Sequence, residues 1–201
     1  MNWILGSKSP RREQLFRHTG IPFQIQSADI DEPVLYPDSA EKTAGAIARL
    51  KHDNLSPSIR ESFLVTADTV VAVEETILTK PKNAAEAKAM LTMLSGKGHS
   101  VYTAVVLSKI DRAGTICQSV SFTERTDVFF HHITEMDIQR YLKRGVPTDK
   151  AGAYGIQDDM GAFFVRRIEG DYYNVVGFPL QAFYQTLKHT FRDEFEKWFS
   201  V

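Results

Sequence analysis

In the run SFLVTADTVVAV (residues 62–73), Asp68 is the one charged residue in a nearly unbroken apolar stretch. A carboxylate inside such a run costs several kcal/mol unless it is paired, protonated or bound to a metal. Two readings fit it. Asp68 and Thr69 could sit at a strand end and cap a turn, or Asp68 could be a working carboxylate at the mouth of a sheet, where ligands of α/β folds bind.

A second unusual grouping lies in ILGSKSPRREQLF (residues 4–16). Ser9 suits a helix N-cap and Pro10 the first helical position. Yet Lys8, Arg11 and Arg12 crowd the helix end that already carries partial positive charge, where acidic residues are favoured. Glu13 and a nearby acidic loop could neutralise them; alternatively, the missing negative charge belongs to a ligand held by free backbone N–H groups. That loop, SADIDEP, carries Asp29, Asp31 and Glu32. Alone it reads as a solvated loop. Beside Asp68 it matters more, because magnesium is held by one or two carboxylates together with substrate phosphates. Lys51, Lys80 and Lys150 each read singly as surface charges, and together with Ser7, Arg11 and Arg12 they could surround a polyphosphate.

Other chemistries find no support. GSKSPRR lacks the second glycine and the terminal Lys-Ser/Thr of a P-loop. The six histidines show no zinc spacing, and there is no G-x-S-x-G elbow. Cys117, the single cysteine, excludes an internal disulfide and reads as a packing residue. What remains is metal-assisted attack of water on phosphorus, with carboxylates for metal and base and cations for the phosphates.

These groups need a scaffold. A strand around residues 3–5 leads to a helix over residues 10–18, followed by a strand at 22–28 and a helix at 40–55. Residues 62–73 read as a central strand buried on both faces, and 83–96 as a helix capped by Asn83. Residues 99–110 and 115–132 flank DRAG as a long antiparallel hairpin. Thr134 caps a helix ending at Gly145. A strand at 161–168 and one long helix from 177 to 199 complete an α/β chain, with a mixed sheet and two lobes meeting at a cleft, read as a single domain over 1–201.

The totals describe a globular chain: 201 residues, 43% hydrophobic, 24% charged, net charge −1. Near-neutrality disfavours a general nucleic-acid or anionic-membrane binder. With no long apolar span and no signal-peptide core, a cytoplasmic location is expected.

LGSKSPRREQLF, ADTVV, KP and DKAGAYGIQ…GDYYNVVGFPL resemble the Maf family of nucleoside triphosphate pyrophosphatases, with matches dispersed from Leu5 to Leu180. The resemblance implies an inosine-triphosphatase-like fold, with an elongated mixed sheet and a central cleft. It also implies a homodimer and a divalent cation (magnesium, manganese or cobalt), the nucleotide being cleaved to monophosphate and pyrophosphate. By position it makes Asp68 the proton acceptor and a metal ligand, and Glu32 a second carboxylate at the metal. It gives Ser7, Arg12, Lys51 and Lys80 to the phosphates, and Arg11, Thr69 and Gln157 to base choice. That last combination matches members acting on dTTP and UTP; those acting on 7-methyl-GTP carry Trp, Gln and Glu. The expected role is house-cleaning of normal and modified pyrimidine nucleotides, with a link to cell division. A regulator that binds nucleotide without turnover competes with it. Gly6 replaces the usual alanine, a change expected to loosen the loop, and Val146 stands where an acidic residue is common.

Overall fold

The computed structural model describes residues 1–27, 30, 36–158 and 160–199. In chain order the elements are β1 (Asn2–Gly6), α1 (Pro10–Arg17), β2 (Gln24–Ile25), α2 (Ala40–Leu55), β3 (Ser62–Val73), β4 (Thr76–Leu78) and α3 (Ala84–Leu94). Then come β5 (Gly98–Ile110), β6 (Ile116–Phe130), α4 (Glu135–Lys143), α5 (Gly161–Phe164), β7 (Val165–Glu169), α6 (Tyr172–Val176), α7 (Leu180–Thr190) and α8 (Arg192–Phe199). Among the described residues the strands form one mixed seven-stranded sheet in the order β2-β1-β3-β5-β6-β7, with β4 also on β3.

β3 organises the sheet because its apolar run lets it be covered on both faces. Side chains alternate along it. Phe63, Val65, Ala67, Val71 and Val73 enter the larger core with Trp3, Phe16, Leu91, Phe178 and Phe183. Leu64 and Val70 face the other way, toward smaller clusters beneath α2. In the larger core Trp3 stacks on Phe63 with ring centroids 4.3 Å apart, and truncating either ring to alanine costs about 3–5 kcal/mol.

The pairing of β3 leaves a notch. Along one edge it runs parallel to β1 as far as Gly6↔Thr66. The same edge is next taken by β4, antiparallel, from Val71↔Leu78. Among the described residues, 67–70 therefore have no strand partner on that side, while the opposite edge is paired without a break to β5 from Ser62↔Ile110 to Ala72↔Ser100. The chain leaving β1 turns at this notch and starts α1, where the Ser9 hydroxyl accepts the Arg12 backbone N–H.

Several expectations are corrected. Of the expected strand at 22–28, the described residues 22–27 supply the two-residue β2, and 161–168 open with the one-turn α5 before β7. The expected C-terminal helix is broken into α7 and α8 at Phe191, whose ring is buried against Phe63. Cys117 is exposed rather than packed. Gly6 tightens the junction instead of loosening it, since a Cβ there would lie 2.6 Å from Thr66 Cγ2 and 2.7 Å from Leu55 Cδ1.

Candidate active site

The notch opens into a cleft of about 450 Å³. Asp68 and Thr69 are consecutive on β3 and so project to opposite faces of the sheet, yet both line this cleft because the edge beside them is open.

On the α2 face, Lys51 Nζ donates to Asp68 Oδ1 at 2.7 Å, with both side chains largely buried. This resolves the cost of a carboxylate in an apolar run: the Asp68 charge is carried into the sheet with a cation beside it. One turn earlier on the same helix, the Ala48 carbonyl accepts from the Thr66 hydroxyl at 2.8 Å and fixes α2 against β3.

On the other face, Arg12 is 6% exposed and its guanidinium spans three segments. Its Nε donates to Gly177 O at 2.9 Å, Nη1 to Ser7 Oγ at 2.9 Å and Nη2 to Thr69 Oγ1 at 3.2 Å. The planar fork of arginine suits three acceptors arranged around one plane. Gly177 presents its carbonyl from a left-handed conformation, φ +127°, that closes α6 and that other residues rarely adopt.

The far wall is the segment after α4. Arg11 Nη1 pairs with the Asp149 carboxylate, and Nη2 donates to the Asp149 backbone oxygen at 3.1 Å. Lys150 Nζ lies 3.1 Å from Asp149 Oδ1 and 3.5 Å from Asp158 Oδ2. Burial pushes the Asp149 carboxyl up, but Arg11 and Lys150 together outweigh it and hold its pKa below the ordinary value. Gln157 Nε2 donates to Asp158 Oδ1 at 3.2 Å, and Tyr141 donates its hydroxyl to Asp158 Oδ2 at 2.9 Å. Burial, with Asp158 beside it, raises the Tyr141 pKa. Tyr154 lines the cleft floor with its hydroxyl 2.8 Å from His99 Nε2.

Ser7, Arg11, Arg12, Lys51, Lys80, Asp68, Thr69 and Gln157 thus share one cleft. Glu32, with Asp29 and Asp31, lies outside the described residues. Thr103, Asn174 and Gly177 were not singled out in the sequence, although a threonine inside VYTAVVL and the N-cap pattern of GDYYNVVG were visible signals. Among the described residues, six cations, Lys8, Arg11, Arg12, Lys51, Lys80 and Lys150, line the cleft beside Asp68 and Asp149, together with apolar residues that include Val71, Val101 and Val175. A polyanion carrying a flat apolar group suits such a lining. For a divalent cation, the described residues hold no group of three or more His, Cys, Asp or Glu. One buried carboxylate completed by phosphate oxygens is nevertheless a donor set magnesium accepts.

The family model described as Maf-like protein matches residues 2–190. The chain belongs to this family. It is 42% identical over 186 residues to the dTTP/UTP pyrophosphatase of Bacillus cytotoxicus, covering 92% of this chain and 94% of that one. To the dTTP/UTP pyrophosphatase of Bacillus cereus it is 41% identical over 185 residues, covering 92% of this chain and 88% of the relative. Among solved structures, the Staphylococcus aureus Ham1 protein aligns at 10% identity with a TM-score of 0.43, covering 65% of this chain and 72% of that one. The family assignment rests on the sequence matches. None of the helices in the described residues is long and apolar enough to cross a membrane.

Proposed function

We propose that this protein is a nucleoside triphosphate pyrophosphatase that converts dTTP and UTP to the monophosphate and pyrophosphate. The observation that carries the reading is the buried Lys51–Asp68 pair at the open edge of β3, facing a cationic cleft in a chain 42% identical to a dTTP/UTP pyrophosphatase. In this reading water attacks the α-phosphorus, the bond from that phosphorus to the α–β bridging oxygen breaks, and pyrophosphate leaves. Asp68 takes the proton from the attacking water, with Lys51 fixing the carboxylate. Arg12, Lys51 and Lys80 stabilise charge growing on the departing pyrophosphate, and Ser7 holds the Arg12 fork in place. Arg11, Thr69 and Gln157 contact the base.

A divalent cation held by Asp68, Glu32 and phosphate oxygens would supply charge neutralisation at the phosphoryl oxygens. A homodimer in the cytoplasm, removing normal and modified pyrimidine nucleotides, completes the reading; light scattering on the purified chain checks the dimer. Incubation of the protein with dTTP or UTP and magnesium, manganese or cobalt, with products resolved, tests the chemistry. Pyrophosphate release that stops in chelator is expected. Orthophosphate as the first product, or full turnover in chelator, overturns it.

A further inference from the structure

The run AGAY (residues 151–154) makes a turn that its sequence does not favour. Gly152 and Ala153 both sit in the left-handed region, at φ +69° and +61°. Glycine adopts this conformation freely, whereas the alanine Cβ makes it unfavourable. At Gly152 the backbone also lies close to β3, since an added Cβ would fall 3.2 Å from both γ-carbons of Val71. Such strain persists only where the surroundings over-determine it, and it gathers at functional sites.

The turn is held at both ends. Gly152 N–H donates to Thr79 O at 3.2 Å, next in sequence to the cleft-lining Lys80, and Ala153 N–H returns to Lys150 O at 3.1 Å. Beyond the strained pair, the Tyr154 hydroxyl lies 2.8 Å from His99 Nε2. His99 is itself a costly choice. It is 4% exposed, and among the described residues its Nδ1 has no hydrogen-bond partner, which leaves a desolvated polar atom unpaid. Its ring meets Phe130 at 4.8 Å and Tyr154 at 5.4 Å, edge to face in both cases, a setting that a phenylalanine would fill with no unpaired nitrogen. What the imidazole adds there is its bond to Tyr154.

We infer that His99 is a positioning residue: through Tyr154 it holds the strained Gly152–Ala153 turn against β3, and so fixes Lys150 at the start of the turn and Lys80 beside its anchor. The bond pins the middle of the far wall, while Asp149 at one end is tied by Arg11. The inference rests on the polyphosphate reading of the cleft for its consequence, which is binding rather than turnover.

Calorimetric binding of inorganic tripolyphosphate and amide hydrogen exchange over residues 150–155, both on the whole protein, test it. Tyr154→Phe keeps the ring and removes the hydroxyl. It should weaken tripolyphosphate binding roughly fivefold and speed exchange in this segment. His99→Phe should do the same, and the double variant should lose no more than either single one, because all three remove one bond. Adding Ala153→Gly to Tyr154→Phe removes the strain that the bond opposes, so affinity should return to within roughly twofold of wild type and protection should recover. A bond that served only the stability of the fold would gain nothing from that glycine. If Tyr154→Phe does not fold, His99→Phe with and without Ala153→Gly makes the same comparison. Absence of tripolyphosphate binding by the wild type, affinity unmoved by these variants, additive losses, or no recovery with Ala153→Gly overturns the inference. The expected pattern in a protein that releases no pyrophosphate from dTTP or UTP upholds it while the pyrophosphatase reading fails.

Discussion

Lys51 Nζ lies 2.7 Å from Asp68 Oδ1 across the interface of α2 and β3, with 11% and 6% of the two side chains exposed. Removing one member of a buried pair costs about 3–5 kcal/mol, whereas replacing both can be neutral. Lys51→Met and Asp68→Asn should each lower stability, and the double variant should lose less than the sum. Urea titration of the four proteins measures the coupling. Turnover of dTTP should fall by roughly two orders of magnitude or more in Asp68→Asn and not return in the double variant. Additive losses of stability would mean the pair contributes nothing as a pair.

Arg12→Lys keeps the charge and loses the fork. A single ammonium cannot donate at once to Gly177 O, Ser7 Oγ and Thr69 Oγ1, which come from three segments. Hydrogen bonds from a charged donor contribute about 1.5–3 kcal/mol each, so kcat/KM should drop by roughly a hundredfold and the melting temperature should fall. Activity within threefold of wild type would show that only the charge matters.

At Gly177, φ +127°, an added Cβ would make only ordinary van der Waals contacts, the nearest atoms being Thr69 Oγ1 at 3.8 Å and Arg12 Nη2 at 4.0 Å. Gly177→Ala therefore tests backbone conformation with no clash to confuse it. It should cost about 1–3 kcal/mol and swing the carbonyl off Arg12. Unchanged denaturation midpoint and kinetics would contradict this.

His99 supplies an acid-sensitive element. Burial lowers its pKa from 6.5 to about 4, so the unfolded chain takes up a proton as pH falls through 6.5 and the folded protein only near 4. Stability from this source is fully present above 6.5 and is lost progressively between 6.5 and 4, at most about 3 kcal/mol. Burial lowers the pKa of His52 as well, in the same sense. Between pH 6.5 and 5, where ordinary carboxylates stay ionised, His99→Gln should show a shallower fall of unfolding free energy than wild type. Parallel curves would assign the acid sensitivity to other groups.

Much of the scaffold was legible because local signals and burial agreed. The nearly unbroken apolar run became β3 over the residues expected, Ser9, Asn83 and Thr134 cap helices as read, and DRAG joins the two long strands. The failures share one cause: tertiary contacts prevailed over local pattern. No glycine or proline marks the break between α7 and α8; the burial of Phe191 against Phe63 accompanies it. For the site, the charged residues could be nominated one by one because charge in an apolar or already cationic setting is conspicuous. Their partners could not. Thr103 meets Thr69 only through the β3–β5 register, Thr69↔Thr103, and Asn174 and Gly177 arrive from more than seventy residues away in sequence.

The unbroken ladder between β3 and β5 also limits how the cleft can change shape. Asp68 and Thr69 are adjacent on one strand, and that strand is bonded to β5 from Ser62 to Ala72. Spreading the two chemical ends of the cleft apart would require tearing a central ladder, so the floor behaves as a fixed ruler. Adjustment is left to the walls: the chain entering α1, and the Asp149–Asp158 segment that Arg11 grips across the gap. A nucleotide would be measured against an invariant baseline while side-chain grips on either side release and re-form.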